Sequence, residues 1–413
     1  MLALLLLACA PDEETGPPTW HADVSPALTS HCVRCHSADG QGPGDFTDYA
    51  QVVDWQPYMI DAIDRGDMAP PVSDPECRDY VGSEHLVNDP TLSATLAAWA
   101  EAGFPEGDPA DAPDVTPIET SIADPDLEIF LPAPYTPTFS DPDNPGNEYR
   151  CFAIEHGQSE TFYVKRMAPI IDQTPIVHHA LLFTVQDEDI PEHDPEAGWD
   201  CIDDAFIGGS SVGAVLSGNG MVGAWAPGML PIGFEGDAGL RVTPDMKMVI
   251  QLHYYDAGPE TRGLPDQSGW AFETTDEVDR PILIAPLGIF NFRIPAGVEA
   301  YTDTRTYQLP IPLRVYGMFP HMHVLGTRYE VTVDGDAGER CAARGDYDFD
   351  NQIGYIFREP LDIESNDLVS ISCTWNNSTS NPDRIHDEPE DVRYGERTDE
   401  EMCYAFSMVS LGD

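Results

Sequence analysis

Lysine is all but missing from this chain: Lys165 and Lys247 are the only two. Against 20 basic residues stand 73 acidic ones, for a formal net charge of -53. A phosphate backbone needs a cationic face, and this surface cannot assemble one, so nucleic acid is excluded as a partner. The charge reads as solubility, with the acidic surface screened by salt. The apolar run at the start, Met1-Leu-Ala-Leu-Leu-Leu-Leu-Ala8-Cys9-Ala10, is too short to span a bilayer and lacks the basic stretch of an export signal. No tandem repeat is present. Beyond Leu127 there is no helix-length amphipathic segment either, which argues against a helical bundle there.

What the chain has in quantity is turn chemistry, with 38 prolines and 34 glycines in 413 residues. That composition favours β architecture with extended linkers, and the length suggests two to four domains. Hydrophobic residues make up 41% of the chain, enough to fill their cores. Nine cysteines suit an oxidising compartment. Leu-Leu-Ala-Cys resembles a bacterial lipoprotein signal. It implies that Cys9 is lipidated, with Pro11 to Pro18 as a tether, and that the protein sits in the periplasm or on an outer-membrane surface. The missing basic stretch raises the expectation that Met1 lies inside the true signal.

Trp20 to Asp108 reads as a small helical domain. Asp54 to Asp64 carries spaced apolar residues, and Leu92, Leu96 and Trp99 repeat at i, i+4, i+7 before Gly103. Pro109 to Asp126 is Asp- and Pro-rich and reads as a linker, with the next domain starting near residue 141. Thereafter short β-branched and aromatic runs alternate with Gly, Pro and Asp. Arg241 to Tyr255, Leu313 to Phe319, Arg328 to Val333 and Leu368 to Trp375 are predicted strands, and such spacing implies β-sandwiches.

Chemistry concentrates in five stretches. Cys32-Val-Arg-Cys35-His36 is the haem c attachment signature, with His36 as proximal iron ligand. Met68, in Met-Ala-Pro-Pro, is the candidate distal ligand, ahead of Met59 and His85. A redox dithiol or zinc half-site would need a second Cys pair or a thioredoxin-like strand and helix, and neither is there. Adjacent residues on a strand face opposite ways, so His178 and His179 share a metal only if the backbone is tightly turned or one imidazole reaches round. His253 stands in the predicted strand Val249-Ile-Gln-Leu-His-Tyr-Tyr; alone, it reads as structural. His321-Met-His323 puts two rings on one strand face, half a metal site. Adding the thioether of Met402 gives two nitrogens and a soft sulfur, a set that favours Cu(I) over Zn(II). Outside Cys9, Cys32 and Cys35 remain Cys77, Cys151, Cys201, Cys341, Cys373 and Cys403, whose connectivity spacing does not give.

Taken together, Val177-His-His-Ala-Leu-Leu-Phe, Gly223-Ala-Trp-Ala-Pro-Gly, Val249-Ile-Gln-Leu-His-Tyr-Tyr, Phe319-Pro-His-Met-His-Val-Leu-Gly and Asp399-Glu-Glu-Met-Cys resemble the copper type II, ascorbate-dependent monooxygenase family over Tyr149 to Asp413. The helical part resembles a class I cytochrome c. The resemblance implies a mainly β protein with two jelly-roll-like copper sandwiches, 141–285 and 286–413, behind an all-α cytochrome c domain, 20–108, and a linker, 109–140. It implies two coppers per chain. His178, His179 and His253 would hold the electron-storing copper, and His321, His323 and Met402 the oxygen-activating one. It places disulfides at Cys151 with Cys201 and at Cys373 with Cys403, leaving Cys77 and Cys341 unassigned. The expected activity is C–H hydroxylation of a small molecule by O2. Electrons would come from an external donor through the fused haem, with ascorbate as a candidate reductant. Where the family's peptide hydroxylase anchors a carboxylate, this chain has Phe319, Tyr404 and Phe406, so a peptide carboxylate is not the expected substrate. The alternative is a non-catalytic electron-transfer or copper-binding lipoprotein on the same fold.

Overall fold

A computed structural model describes residues 16–412 apart from 39, 41, 87–88, 117, 142–144, 202–219, 235, 350, 385, 387, 396 and 398. Cys9 and its expected lipid lie outside these residues. Strands hold 41% of the chain and helices 14%, so the protein is mainly β.

Three α-helices lie within residues 20–108. Helices α1 (Ser25–His31), α2 (Tyr49–Arg65) and α3 (Pro90–Glu101) surround a core of Trp20, Leu28, Val52, Met59, Ile63, Leu92, Leu96 and Trp99. The second helix runs longer than its apolar spacing suggested, because Asp48 caps it by accepting from the Gln51 N–H at 2.9 Å and Gly66, at φ 80°, ends it in the left-handed conformation. Asp89 caps the third in the same way, with Pro90 at its first position.

Past the helices, a five-stranded sheet has at its centre the strand Met246–Tyr255, flanked by Asn147–Ile154 and Val177–Gln186, with Gly220–Trp225 at one edge. A four-stranded sheet contains Val298–Gln308, Leu368–Asn377, Gly326–Gly335 and Gly338–Asp346. Both share one hydrophobic core with a nine-stranded sheet that runs through the whole β region. Its strand Arg280–Gly288 pairs in parallel with Ala238–Val242 on one side and antiparallel with Tyr404–Leu411 on the other. That strand lies across the predicted boundary at 285/286 and sews the two halves together.

Leu368–Asn377 shows the expected alternation, burying every second residue. Its outward Ser370, Ser372 and Thr374 bond across to Thr306, Thr304 and Thr302 at 2.8 to 3.0 Å. The stretch Arg241 to Tyr255 is not one strand. It breaks between Val242 and Met246, where Pro244 has no N–H to give a ladder. Part of the predicted linker is also structural, since Leu127–Phe130 pairs with Gly269–Thr275.

Three disulfides form: Cys151–Cys201, Cys373–Cys403 and Cys77–Cys341. The last ties the helical unit to the four-stranded sheet. Around it, Ser73 bridges Gly345, Tyr80 bridges Phe357, and Val81 N–H donates to Ile356 O at 2.8 Å. Residues 72–86 thus form a strap lying on the C-terminal half.

Candidate metal centres and active site

The strand Val177–Gln186 pairs with Met246–Tyr255 through Val177 with Tyr254 and His179 with His253, and the register shifts between the first two. His178 is therefore the extra residue of a bulge, which re-aims a side chain that alternation would turn away. The three imidazoles converge. His179 Nδ1 lies 3.2 Å from His178 Nδ1 and 3.4 Å from His253 Nδ1, and one ligand atom of each ring falls within 4.8 Å of the others. Nitrogens bound at about 2.0–2.1 Å to one metal stand apart by similar amounts. His253 Nε2–H donates to Asn147 Oδ1 at 2.8 Å, which turns its Nδ1 lone pair inward, and Tyr149 stacks on the same ring at 4.2 Å. Loss of solvent, then the neighbouring imidazoles, holds His179 and His253 well below the ordinary histidine range, so these rings are neutral.

His321 ends the strand Leu313–His321, and His323 follows in the turn, their ring centroids 5.3 Å apart. His321 Nδ1–H donates to Gln352 Oε1 at 2.8 Å, and His323 Nδ1–H donates to Glu400 O at 2.9 Å. Each Nε2 keeps its lone pair. Burial lowers His321 to about 4, and burial with the neighbouring His321 lowers His323 to about 3. Met402 is buried beside Cys403, whose disulfide to Cys373 anchors the segment. Between them and His323 stands Glu401, fully buried. Its carboxylate accepts from Leu325 N at 2.7 Å, His323 N and Trp375 Nε1 at 3.0 Å, and Met402 N at 3.2 Å. Burial raises it to about 7 against those four donors.

The second set and, of the first, His179 line one cavity of about 80 Å³, with Tyr149, Leu181, Met221, Trp225, Ala226, Phe319, Phe349 and Phe406. Its other polar lining is Gln251 and Gln352, and among the described residues lining it there is no Asp, Glu, Lys or Arg. Phe319 and Phe406 face this space, while Tyr404 bonds through its hydroxyl to Tyr394 at 2.7 Å.

Residues 136–261 match the copper type II ascorbate-dependent monooxygenase, N-terminal domain. That span holds His178, His179 and His253, while His321, His323 and Met402 lie beyond it. The match supports the expected family and copper-dependent oxygenase chemistry. No curated protein matches the chain. Among solved structures, a Paenibacillus xanthan lyase is similar at 10% identity and a TM-score of 0.18, covering 71% of this chain, which spans only 27% of the lyase. The infectious bursal disease virus VP2 subviral particle is similar at 11% identity and a TM-score of 0.18, covering 71% of this chain and 75% of that one. Likeness at that level carries no argument about function.

In the helical unit, Cys32 and Cys35 are free thiols that line a cavity of about 300 Å³ together with His36, Met59 and Met68. His36 Nδ1–H donates to Pro43 O at 2.8 Å and leaves the lone pair on Nε2; Phe46 stacks on the ring at 4.3 Å. Burial pushes Cys32 up to about 12 and raises Cys35 too, so both are protonated thiols. Of the two weaker distal candidates, Met59 lines the cavity and His85 does not; its Nδ1 bonds to Ser30 O at 2.9 Å.

Asn147, Gln352 and Glu401 escaped the sequence reading as orienting residues. Glu401 offered the one usable signal, a carboxylate between a candidate ligand and its neighbours in an otherwise buried segment. Asn147 and Gln352 lie far in sequence from the histidines they hold and carry none.

Proposed function

We propose that this chain is a copper-dependent monooxygenase that hydroxylates a C–H bond of a small, uncharged, apolar substrate. The balance is R–H, O2, two electrons and two protons giving R–OH and water. The observation that carries the reading is one apolar cavity lined by His321, His323 and Met402 on one side and by His179, which belongs to a cluster of three imidazoles, on the other. Bound copper supplies one-electron redox chemistry toward O2, with the softer set suited to Cu(I). His178, His179 and His253 would hold the electron-storing ion, and His321, His323 and Met402 the oxygen-activating one. His179, His253, His321 and His323 are neutral rings, and hydrogen bonds orient the nitrogens of His253, His321 and His323. The uncharged lining selects against carboxylate or ammonium substrates, because burying an unpaired charge there is costly.

The helical unit, 20–108, is read as a cytochrome c-like domain. Cys32 and Cys35 would carry haem c covalently, His36 and Met68 would ligate its iron, and the group would relay single electrons from an external donor or ascorbate. The linker, 109–140, and two jelly-roll-like copper domains, 141–285 and 286–413, complete the organisation. The three disulfides are consistent with an extracytoplasmic protein. Lipid on Cys9 would tie it to a periplasmic or outer-surface membrane; no helix among the described residues is long and apolar enough to cross one.

The test is copper loading followed by reduction and exposure to ¹⁸O2 with a panel of small neutral aromatic and alkyl compounds. Substrate-stimulated oxygen uptake with one labelled oxygen in the product is expected, and His321→Ala should abolish it. Copper-loaded, reduced protein that passes electrons outward but never consumes O2 with any panel member is instead the copper-binding carrier.

A further inference from the structure

Among the described residues, the helical unit comes close to the first copper half at the turn that follows its edge strand. The strand Gly220–Trp225 leaves the five-stranded sheet into Ala226-Pro227-Gly228-Met229, closed by Met229 N–H donating to Ala226 O at 3.0 Å. Gly228 has φ +80°, and a β-carbon placed on it would lie 2.8 Å from Cys35 Sγ. Only glycine lets the backbone come that close to the sulfur. The approach is braced from both sides. Leu230 Cδ1 sits 2.6 Å from where a β-carbon on Gly82 would be, so the turn is wedged against the strap. The strap in turn is fixed by Cys77–Cys341 and by the ion pair of Asp74 with Arg344 at 2.5 Å.

From this turn the chain leads directly to the first ligand set. Trp225 pairs with Ala180, the residue after His179, and Trp225, Ala226 and His179 line the same cavity. Cys35 is one of the two sulfurs that would bind the haem covalently, so its Sγ would be the protein atom at the edge of the porphyrin. We propose that the turn Ala226–Met229 is the electron bridge between a haem held at Cys35 and the copper held by His178, His179 and His253. The inference rests on the reading of both cofactors given above. The transfer would balance as one electron lost by a ferrous haem held at Cys32 and Cys35 and one gained by Cu(II) held by His178, His179 and His253. Along the way lie one sulfur-to-backbone contact, three residues of covalent chain and the ladder between Trp225 and Ala180. A second branch runs through Met229 and Phe319, whose side chains meet over Gly354, to His321, over which Phe319 stacks at 6.3 Å. It needs successive jumps between side chains that are not bonded, so the backbone branch is better coupled.

The experiment uses the full chain with haem and copper loaded, anaerobic and oxidised, with the haem reduced by a light flash and its reoxidation followed by absorbance. Gly228→Ala pushes the turn off Cys35 and should slow that step at least several-fold, with the haem spectrum and copper content unchanged. Leu230→Ala, which loosens the wedge without straining the backbone, should slow it in the same direction, and it serves if Gly228→Ala fails to fold. Folded, fully loaded Gly228→Ala and Leu230→Ala proteins that transfer at the wild-type rate overturn the bridge while leaving the oxygenase and haem reading intact. A chain that carries no covalent haem after denaturation overturns the haem reading and the bridge with it.

Discussion

At the scale of single residues, much of the site is set by partners that hold nitrogens in one orientation. Asn147 is the clearest, because its Oδ1 accepts from His253 Nε2–H and so determines which ring nitrogen faces the other two histidines. Orienting partners of this kind are typically worth about 10- to 100-fold in metal affinity. Asn147→Ala is expected to weaken copper at the first set by that amount and to leave the second set alone. Copper titration followed separately at each site checks it, and wild-type affinity at the first set would remove the orienting role. The histidines themselves were legible in the sequence as residues and only partly as a site. A strict two-residue period separates His178 from His179, and nothing in the local sequence announces the bulge that reunites them. His321 and His323 read as one strand face, whereas the strand ends at His321 and the turn after it brings the His323 ring to 5.3 Å from that of His321.

At the scale of elements, Leu313–His321 and Leu368–Asn377 were readable from β-branched alternation, and α3 from its Leu92, Leu96 and Trp99 stripe. Pairings between distant strands were not readable, because alternation fixes a face and not a neighbour. Met402 shows the same limit: its sulfur reaches the cavity because the segment before Tyr404–Leu411 is stapled by Cys373–Cys403 and held by Glu401. Closing a loop of 30 residues restricts the unfolded chain by about 3 to 4 kcal/mol on the chain-entropy account. The double substitution C373A/C403A should lower stability to denaturant by an amount of that order. It should also weaken copper at the His321, His323 and Met402 set more than at the other. Equal copper affinity at the two sets, before and after, would mean that the disulfide stabilises the fold without positioning Met402.

At the scale of the whole molecule, the question is how a helical unit stays seated on a body that carries the same sign of charge. The chain's net charge is -53, and residues 20–108 contain only three basic residues, Arg34, Arg65 and Arg78. Repulsion between two acidic bodies reaches about 30 Å at 0.01 M salt and about 8 Å at 0.15 M. The ion pairs at the junction, Arg344 with Asp74 and Arg358 with Asp79, are partly exposed, and such pairs contribute roughly 0 to 1 kcal/mol each. Cys77–Cys341, spanning 264 residues of chain, is therefore what resists separation. The wild type should keep one radius of gyration by small-angle scattering from about 0.01 to 0.15 M salt. C77A/C341A should expand at the low end and contract again as salt screens the repulsion, the reverse of what loss of surface ion pairs alone would give. A wild type that swells in low salt would mean that the strap does not hold. A double variant that stays compact throughout would mean that apolar contacts, such as Tyr80 against Tyr355 with ring centroids 4.8 Å apart, seat the helical unit without the disulfide.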